Sequence, residues 1–311
     1  PAAARLAGLP GLLALLVAAA GLGGAAGEDP AARFERETLT LRDELAVALP
    51  FALDGDGRQD LVVLEADRGH GRDVPYTLRV FRQTAQGFVP LESATARLPP
   101  RVSLVDVGAF RGGPGLALLM PGELALWPWQ GERFASEAAE RLPAQSVFPV
   151  DGGELKLGVH WLTDLSGDGQ AELLVPRFDG VEVVGQDAAG RLRRRALLRT
   201  RASARMLDWF RSPLLAYDLP ALSIQQMDGK GWQDVALYLD GQLWVFLLDE
   251  RLDGGERAPA LVRDLQPPKP FDPKEPRDPP MRLVSAEDLN ADGYLDLVFS
   301  KNAASDSQFN T

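Results

Sequence analysis

Short apolar runs separated by turn residues repeat along most of this chain. In each repeat an apolar run follows a glycine-containing loop, a two-residue turn comes next, and a second apolar run completes the pair. The clearest pairs are residues 116–120 with 123–129, 173–177 with 181–185, and 235–239 with 242–248. Their turns are Pro-Gly at 121–122 and Asp-Gly at 179–180 and 240–241. Apolar runs of this length around such turns predict antiparallel β-hairpins.

The hairpins share one register. Five segments align on glycines 57, 112, 169, 231 and 293, which are 55, 57, 62 and 62 residues apart. A unit of about sixty residues with a hairpin and one or two more strands has the size of a four-stranded propeller blade. We therefore predict an all-β fold, a β-propeller with blades that begin near residues 50, 102, 160, 222 and 284. Stacked solenoid coils are the alternative architecture.

Two further expectations concern the limits of this pattern. Residues 135–142 and 199–210 are the only stretches after the N-terminal segment that would allow a short helix. About four and a half blades fit after residue 27, and the last repeat stops just beyond its first strand. An incomplete propeller exposes strand edges, so we expect the natural chain to continue after Thr311.

The repeated glycines lie in loops rich in acidic residues, with the pattern D-x-[DNS]-x-D-G-x-x-[DE]. Calcium takes six to eight oxygen ligands, and alternate positions around a sharp turn supply them. Two loops carry the complete pattern. The predicted calcium ligands are Asp164, Ser166, Asp168, Glu172 and the carbonyl of Gln170 in one loop, and Asp288, Asn290, Asp292, Asp296 and the carbonyl of Tyr294 in the other.

The first loop is incomplete. Ala52 stands at position one, while Asp54, Asp56 and Asp60 remain at positions three, five and nine. The loss of one carboxylate predicts weaker calcium binding or the recruitment of a water molecule.

The fourth loop and the second copy have lost more. In the fourth loop Gln226 stands at position one and Lys230 at position five, so we expect the ammonium to lie between Asp228 and Asp234 in place of an ion. The second copy keeps only Asp106. We predict that neither segment binds calcium.

These loops, with the Asp/Glu and Leu/Val pair that ends each one, resemble the FG-GAP and VCBS repeat family, which also forms the head of integrin α subunits. The resemblance covers residues 49–299, without a clear Phe-Gly or Gly-Ala-Pro signature. It implies a propeller of about seven or eight blades, with calcium loops that stabilise blades and stand away from the ligand face. Family members serve in adhesion, carbohydrate binding, protein assembly and, in some lineages, polysaccharide cleavage.

The first 27 residues differ from the rest of the chain. Arg5 precedes an apolar run over residues 6–22, and small residues follow at 23–27. This order predicts a secretory signal peptide cut after Gly27, with the propeller over 28–311 and no membrane span after cleavage. A retained membrane anchor is the alternative. The predicted location is secreted, periplasmic or on the cell surface.

Composition narrows the range of chemistry. The 33 Lys and Arg against 44 Asp and Glu give a net charge of -11, which disfavours nucleic acid as a partner. The absence of cysteine excludes thiol catalysis, thiolate metal sites and disulfides. Only two histidines occur, His70 and His160, and no Gly-x-Ser-x-Gly motif is present.

The sequence therefore favours a non-catalytic binding, adhesion or assembly module of the cell envelope, with a protein or polysaccharide as its ligand. The alternative is a polysaccharide lyase or hydrolase, since carboxylates from different blades could meet at a propeller centre. A basic segment could bind acidic polysaccharide, although a solvated outer strand is the favoured interpretation. Its arginines are at 191, 193, 194, 195, 199, 201 and 205. Tryptophans 127, 129 and 244 are expected to pack between blades.

Overall fold

The computed structural model describes residues 12–18, 34–67, 74–148, 155, 160–200, 204–209, 212–217, 220–239, 241–249, 252, 254–265, 281–287 and 296–301. Every regular element in these ranges is a β-strand, which confirms the all-β prediction. No helix in the described part of the chain has the length and apolar character needed to cross a membrane. The predicted cleavage point after Gly27 falls outside these ranges.

The chain divides into two compact units, and the first comprises Pro1–Gly108, Gly113–Arg141 and Val150–Val159. It begins with an antiparallel pair, β1 (Leu12–Ala18) and β2 (Phe34–Thr40). The first four-stranded sheet contains β3 (Glu44–Phe51), β4 (Asp60–Ala66), β5 (Tyr76–Thr84) and β6 (Gly87–Arg97). The second contains β7 (Leu104–Phe110), β8 (Gly113–Met120), β9 (Glu123–Pro128) and β10 (Glu140–Pro143). In both sheets each strand pairs with its neighbours in the sequence, which makes an antiparallel meander.

The second unit comprises Ala109–Gly112, Leu142–Pro149 and His160–Thr311. Its larger sheet, the third, contains β11 (Leu162–Thr163), β12 (Glu172–Arg177), β13 (Gly180–Gln186) and β14 (Leu192–Arg199). A pair follows, β15 (Ala204–Trp209) with β16 (Ser212–Tyr217). The fourth sheet contains β17 (Ala221–Gln225), β18 (Asp234–Leu239), β19 (Gln242–Phe246) and β21 (Leu261–Asp264), and the last pair is β22 (Met281–Glu287) with β23 (Asp296–Lys301).

One short strand leaves the meander order. The connection between β19 and β21 contains β20 (Glu256–Arg257), which pairs in parallel with β14 at the edge of the third sheet. The amide of Gly254 donates to the carbonyl of Arg195 at 2.7 Å, and the amide of Leu197 donates to Gly255 at 3.0 Å. An Arg199 to Glu256 ion pair adds to this attachment. A segment that precedes a fourth-sheet strand therefore closes the open edge of the third sheet.

Hydrophobic clusters fill the space between adjacent sheets inside each unit. Strands β4 and β18 are buried along their whole length, as expected for central strands covered on both faces. In the first unit one cluster joins Val62, Leu78 and Val80 of the first sheet to Leu116, Leu118, Trp127 and Trp129 of the second. In the second unit another joins Leu174, Val183 and Leu198 to Val235, Leu237, Trp244 and Phe246. All three tryptophans lie in these clusters, and their packing between propeller blades stays a prediction.

The two segments that the sequence allowed as helices are not helical. Residues 140–143 form β10, while residues 199–210 include the end of β14 and all of β15. The amide of Ala139 donates to the carbonyl of Leu126 at 2.9 Å, so this bond uses a donor that a helix starting at residue 135 would need. Tertiary pairing overrides the weak helical pattern here.

The three predicted hairpins are present as β8–β9, β12–β13 and β18–β19. The turn in the third sheet differs from the prediction by one residue. Arg177 pairs with Gly180, so the two turn residues are Phe178 and Asp179 rather than Asp179 and Gly180. Gly180 has φ of 147°, and a Cβ there would lie 2.0 Å from the carbonyl oxygen of Leu198. This glycine permits the close approach of β14.

The close approach of β14 to Gly180 can be tested by comparing alanine substitutions at Gly180 and at Gly122. We expect Gly180→Ala to lower the free energy of unfolding by about 2 to 3 kcal/mol, because the methyl group must displace backbone. Gly122→Ala is the control, since Gly122 also has a positive φ, 81°, but nothing lies within 4 Å of the position that an alanine methyl group would take there. That change should cost about 1 kcal/mol from backbone strain alone. Urea unfolding of both variants measures the difference, and equal losses would contradict the packing argument.

Candidate calcium-binding loops

Three of the Asp-rich loops lie within the described residues and share one backbone form. We call them loop 1 (residues 52–60), loop 3 (residues 164–172) and loop 4 (residues 226–234). In each, the glycines at positions four and six both have positive φ. The angles are 73° and 82° at Gly55 and Gly57, 74° and 82° at Gly167 and Gly169, and 73° and 95° at Gly229 and Gly231. The position-four glycine is present in all three sequences, although the predicted pattern requires glycine only at position six.

The loop predicted at 288–296 cannot be placed in this comparison. Its residues Asp288, Asn290, Asp292 and Tyr294 lie outside the described part of the chain. Asp296 is the first residue of β23, and only its backbone is described.

The carboxylate at position nine holds each loop to the strand that follows it. These carboxylates belong to Asp60, Glu172 and Asp234, whose exposed fractions are 1%, 6% and 0%. Each one accepts a hydrogen bond from the backbone amide at position two. The donors are Leu53 at 3.0 Å, Leu165 at 2.8 Å and Met227 at 2.7 Å. The buried carboxylate thus satisfies a loop amide that would otherwise lack a partner.

In loops 1 and 4 the same carboxylate also accepts an amide from farther along the chain, on β5 for loop 1 and just beyond the end of β19 for loop 4. The amide of Gln83 donates to Asp60 Oδ1 at 2.9 Å, and the amide of Leu248 donates to Asp234 Oδ1 at 2.8 Å. Asp234 further accepts the amide of Asp228 at 3.2 Å. At position nine, Asp60 and Glu172 were predicted only as calcium ligands and Asp234 only as a partner of Lys230, so sequence reasoning missed this structural role. The Asp or Glu before each apolar strand was its visible signal.

Side chains at positions one, three and five accept further amides from within the loop. Asp164 accepts three, from Gly167 at 2.7 Å, Asp168 at 3.2 Å and Gly169 at 2.8 Å. In loop 4, Gln226 at the same position accepts the amide of Gly229 at 3.1 Å. Ala52 in loop 1 has no side-chain acceptor, yet the loop keeps its backbone form. The glycines and the position-nine carboxylate therefore maintain this form without a complete set of ligands.

Loop 3 concentrates negative charge. Burial, together with the nearby carboxylates of Asp168 and Asp164, raises the pKa of Glu172 to about 7, against the lowering effect of the Leu165 amide. No Lys or Arg side chain in the described residues forms an ion pair with these three carboxylates. With the Ser166 hydroxyl they provide hard oxygen donors, which is the chemistry that calcium prefers.

The arrangement is looser than a closed coordination shell. Within the described ranges, no three Asp, Glu or His side chains lie together closely enough to hold a metal ion. The amide bonds to Asp164 account for part of this, since both of its carboxylate oxygens already accept backbone donors. The chemistry of the donor set in loop 3 fits calcium, and side-chain adjustment would be needed to bring Asp164, Ser166, Asp168 and Glu172 onto one ion.

Loops 1 and 4 differ from loop 3 because basic side chains meet their carboxylates. In loop 1, Arg82 Nε lies 3.3 Å from Asp54 Oδ2, and Arg58 Nη1 lies 2.9 Å from Asp56 Oδ2. In loop 4, Lys230 Nζ lies 2.8 Å from Asp228 Oδ2. The predicted pairing of Lys230 with Asp228 is confirmed, whereas Asp234 is bound by backbone amides instead.

The second copy of the repeat has no loop of this kind. Asp106 is buried in the middle of β7, where its carboxylate accepts the amide of Val107 at 2.9 Å. A two-residue turn at Arg111 and Gly112 joins β7 to β8. The absence of calcium from this segment stays a prediction, and the short turn gives a structural reason for it.

The basic segment is largely neutralised by neighbouring acids. Arg191 and Arg193 both contact Asp187, Arg194 contacts Glu182 at 3.1 Å, and Arg199 pairs with Glu256. Arg195 donates to the carbonyl of Gln186 at 2.5 Å. The side chains of Arg201 and Arg205 lie outside the described residues. These partners favour the interpretation as a solvated outer strand over an acidic-polysaccharide site.

The chain was also compared with known proteins. No protein-family model matches it, and no curated protein shows significant sequence similarity to it.

Proposed function

We propose that this chain is an exported, calcium-stabilised β-propeller that acts as a non-catalytic binding, adhesion or assembly module of the cell envelope. Loop 3 carries the proposal, because it combines several carboxylates with a hydroxyl in one glycine-shaped turn and meets no basic side chain among the described residues. Its ligands would be the side chains of Asp164, Ser166, Asp168 and Glu172 with the carbonyl of Gln170. Bound calcium would offset the mutual repulsion of the carboxylates.

The sheets support the propeller part of this proposal. Each of the four large sheets is built on a four-stranded meander, the usual composition of a propeller blade, and apolar clusters join neighbouring sheets within each unit. The three described loops precede the second strand of their sheets, at Asp60, Glu172 and Asp234. A loop repeated at one position of each sheet is what a blade repeat would produce.

The absence of catalytic constellations in the sequence supports a binding role, with a protein or a polysaccharide as the ligand. The N-terminal apolar segment supports export. Three of the four arginines of β14, Arg193, Arg194 and Arg199, already pair with acidic side chains, so the proposed ligand surface lies elsewhere.

Calcium should raise the stability of the purified chain. A site with Kd of about 0.1 mM contributes about 2.7 kcal/mol at roughly 10 mM calcium. Asp168→Asn, which removes one ligand charge and little volume, should abolish the contribution of loop 3. Glu137→Gln, which neutralises an exposed carboxylate outside the loops, is the control and should leave the calcium response unchanged. Thermal unfolding with calcium and with chelator measures both.

Two results would overturn the proposal. A melting temperature indifferent to calcium and chelator in the parent chain would remove its metal part. Release of new reducing ends or unsaturated products from a polysaccharide panel, lost on chelation, would replace the binding role with an enzymatic one.

A further inference from the structure

Loop 1 carries three carboxylates at ligand positions, and those of Asp54 and Asp56 each face a guanidinium. Arg82 comes from β5 and reaches Asp54 at position three. Arg58 stands at position seven of the same loop and binds Asp56 at position five through its side chain at 2.9 Å and its backbone amide at 2.8 Å. Charge-assisted bonds of this kind are stronger than neutral ones. Two of the three positions that would supply side-chain oxygens to a metal are therefore already paired with cations, and the third, Asp60, accepts backbone amides.

Loop 4 achieves a similar balance with one residue. Lys230 occupies position five, where the complete pattern has aspartate, and its ammonium lies 2.8 Å from the carboxylate of Asp228 at position three. The side chain of Asp228 is only 13% exposed, which keeps this pair partly shielded from water. The cation is thus built into the loop at the position of a missing ligand.

Loop 3 has the backbone of loops 1 and 4 but lacks their pairs between carboxylates and basic side chains. It has the same positive-φ glycines and the same position-nine hydrogen bond, yet no described basic side chain pairs with Asp164, Asp168 or Glu172. The backbone form is therefore common to loops with and without side-chain cations. The loops differ in whether a basic side chain lies beside the carboxylates at positions three and five.

We infer that side-chain cations take the place of calcium in loops 1 and 4, so that Arg58, Arg82 and Lys230 decide which loops bind the metal. Calcium would have to displace a guanidinium or ammonium that already bonds a ligand carboxylate. This inference rests on the proposed function, because it assigns calcium to loop 3 and away from two neighbours. It replaces the sequence-based expectation of weak calcium binding by Asp54, Asp56 and Asp60.

Loop 4 offers a direct spectroscopic test, because Trp232 stands at its position seven. Terbium, which replaces calcium at oxygen sites, emits when a nearby tryptophan is excited. Loop 3 lies beside loop 4, with the amide of Gln233 donating to the carbonyl of Leu165 at 2.7 Å, so Trp232 would also sensitise terbium bound in loop 3. The experiment therefore uses chains that carry Asp168→Asn, and in that background we expect no terbium emission that Trp232→Phe removes. The double variant Gln226→Asp with Lys230→Asp should gain such emission, and calcium should compete it away. Gln226→Asn with Lys230→Arg keeps a cation in the loop and should gain none.

Calcium stoichiometry from titration calorimetry tests loop 1. Asp56→Asn in the parent chain should leave the number of bound ions unchanged, whereas Arg58→Gln with Arg82→Met should add one weak site. Circular dichroism checks that each variant is folded. If a redesigned variant fails to fold, the Trp232→Phe and Asp56→Asn comparisons still decide the question.

The results separate this inference from the proposed function. Trp232-dependent terbium emission in the Asp168→Asn background, once calorimetry shows that the loop 3 ion is lost there, would overturn the inference, and so would loss of a bound calcium ion in Asp56→Asn. Failure of Asp168→Asn to remove a calcium site would instead count against the proposed function. The number of calcium ions gained or lost on the loop 1 and loop 4 substitutions would still decide the inference in that case, because calorimetry counts ions whatever their distance from Trp232.

Discussion

Asp234→Ala is expected to lower the free energy of unfolding by about 4 kcal/mol. The carboxylate is fully buried and accepts amides from Met227, Asp228 and Leu248. Alanine leaves these three donors without their acceptor, and each unsatisfied buried donor costs about 1 to 3 kcal/mol. The melting temperature should fall by roughly 10 °C for a unit of this size. Chemical and thermal unfolding in chelator measure both values without a contribution from calcium.

Two further variants make this result interpretable. Asp234→Asn keeps one carbonyl oxygen but turns an NH2 group toward a donor, so it should lose a large part of the stability as well. Glu137→Ala removes an exposed carboxylate that lies outside the strands and should change the free energy by less than about 0.5 kcal/mol. A loss below about 1 kcal/mol in Asp234→Ala would contradict the structural role of position nine.

The second large effect is expected at the buried ion pair of the first sheet. Arg79 Nη1 lies 2.9 Å from Glu65 Oε1, and their side chains are 7% and 0% exposed. Glu65 also accepts the amide of Asp43, and the Arg79 guanidinium lies 4.9 Å from the centre of the Phe81 ring. Arg79→Met should therefore cost about 3 to 5 kcal/mol, since it leaves a buried carboxylate without its counter-charge.

A double-mutant cycle measures the interaction energy between Glu65 and Arg79 apart from the contribution that each side chain makes alone. Glu65→Gln combined with Arg79→Met removes both charges, so the combined loss should be smaller than the sum of the single losses. Glu92→Gln is the matched control, because Glu92 also approaches Arg79, at 3.7 Å, but is 61% exposed. It should change stability by less than about 0.5 kcal/mol. Strict additivity of the two buried changes would contradict the coupling.

Local signals explain what the sequence could predict. The turn at Pro121 and Gly122 and the apolar runs on either side of it are contiguous in the chain, so β8 and β9 were placed within three residues. Glycines and acidic residues likewise marked the loops by position. The pairing of Lys230 with Asp228 was predictable because the two residues share one loop.

Contacts between distant segments could not be predicted in the same way. Arg82 meets Asp54 only because β4 and β5 pair with Leu61 opposite Phe81, and no local pattern fixes that register. Gly180 seemed to be a turn residue, but its role depends on Leu198 in another strand. The position-nine aspartates have the residue type of a metal ligand, and only burial and hydrogen bonding reveal their structural role.

The common backbone of the three loops also bears on how ligands are lost. Loop 1 keeps the form with alanine at position one, and loop 4 keeps it with lysine at position five. The positive-φ glycines and the buried carboxylate are shared by all three loops, whereas the metal-directed side chains vary. Loop shape and metal affinity are therefore set by different residues of the same nine-residue segment.

The parallel pairing of β14 with β20 sets an order on the assembly of the third sheet. Arg199 and Glu256, which join the two strands, are 57 residues apart in the chain. A ribosome or an export channel delivers the chain from its N-terminus, so β14 emerges well before its last partner. Until Glu256 and Arg257 follow, the edge of β14 has open backbone donors and acceptors to which another chain could add. The third sheet can therefore be completed only after β17 to β19 of the fourth sheet have been synthesised.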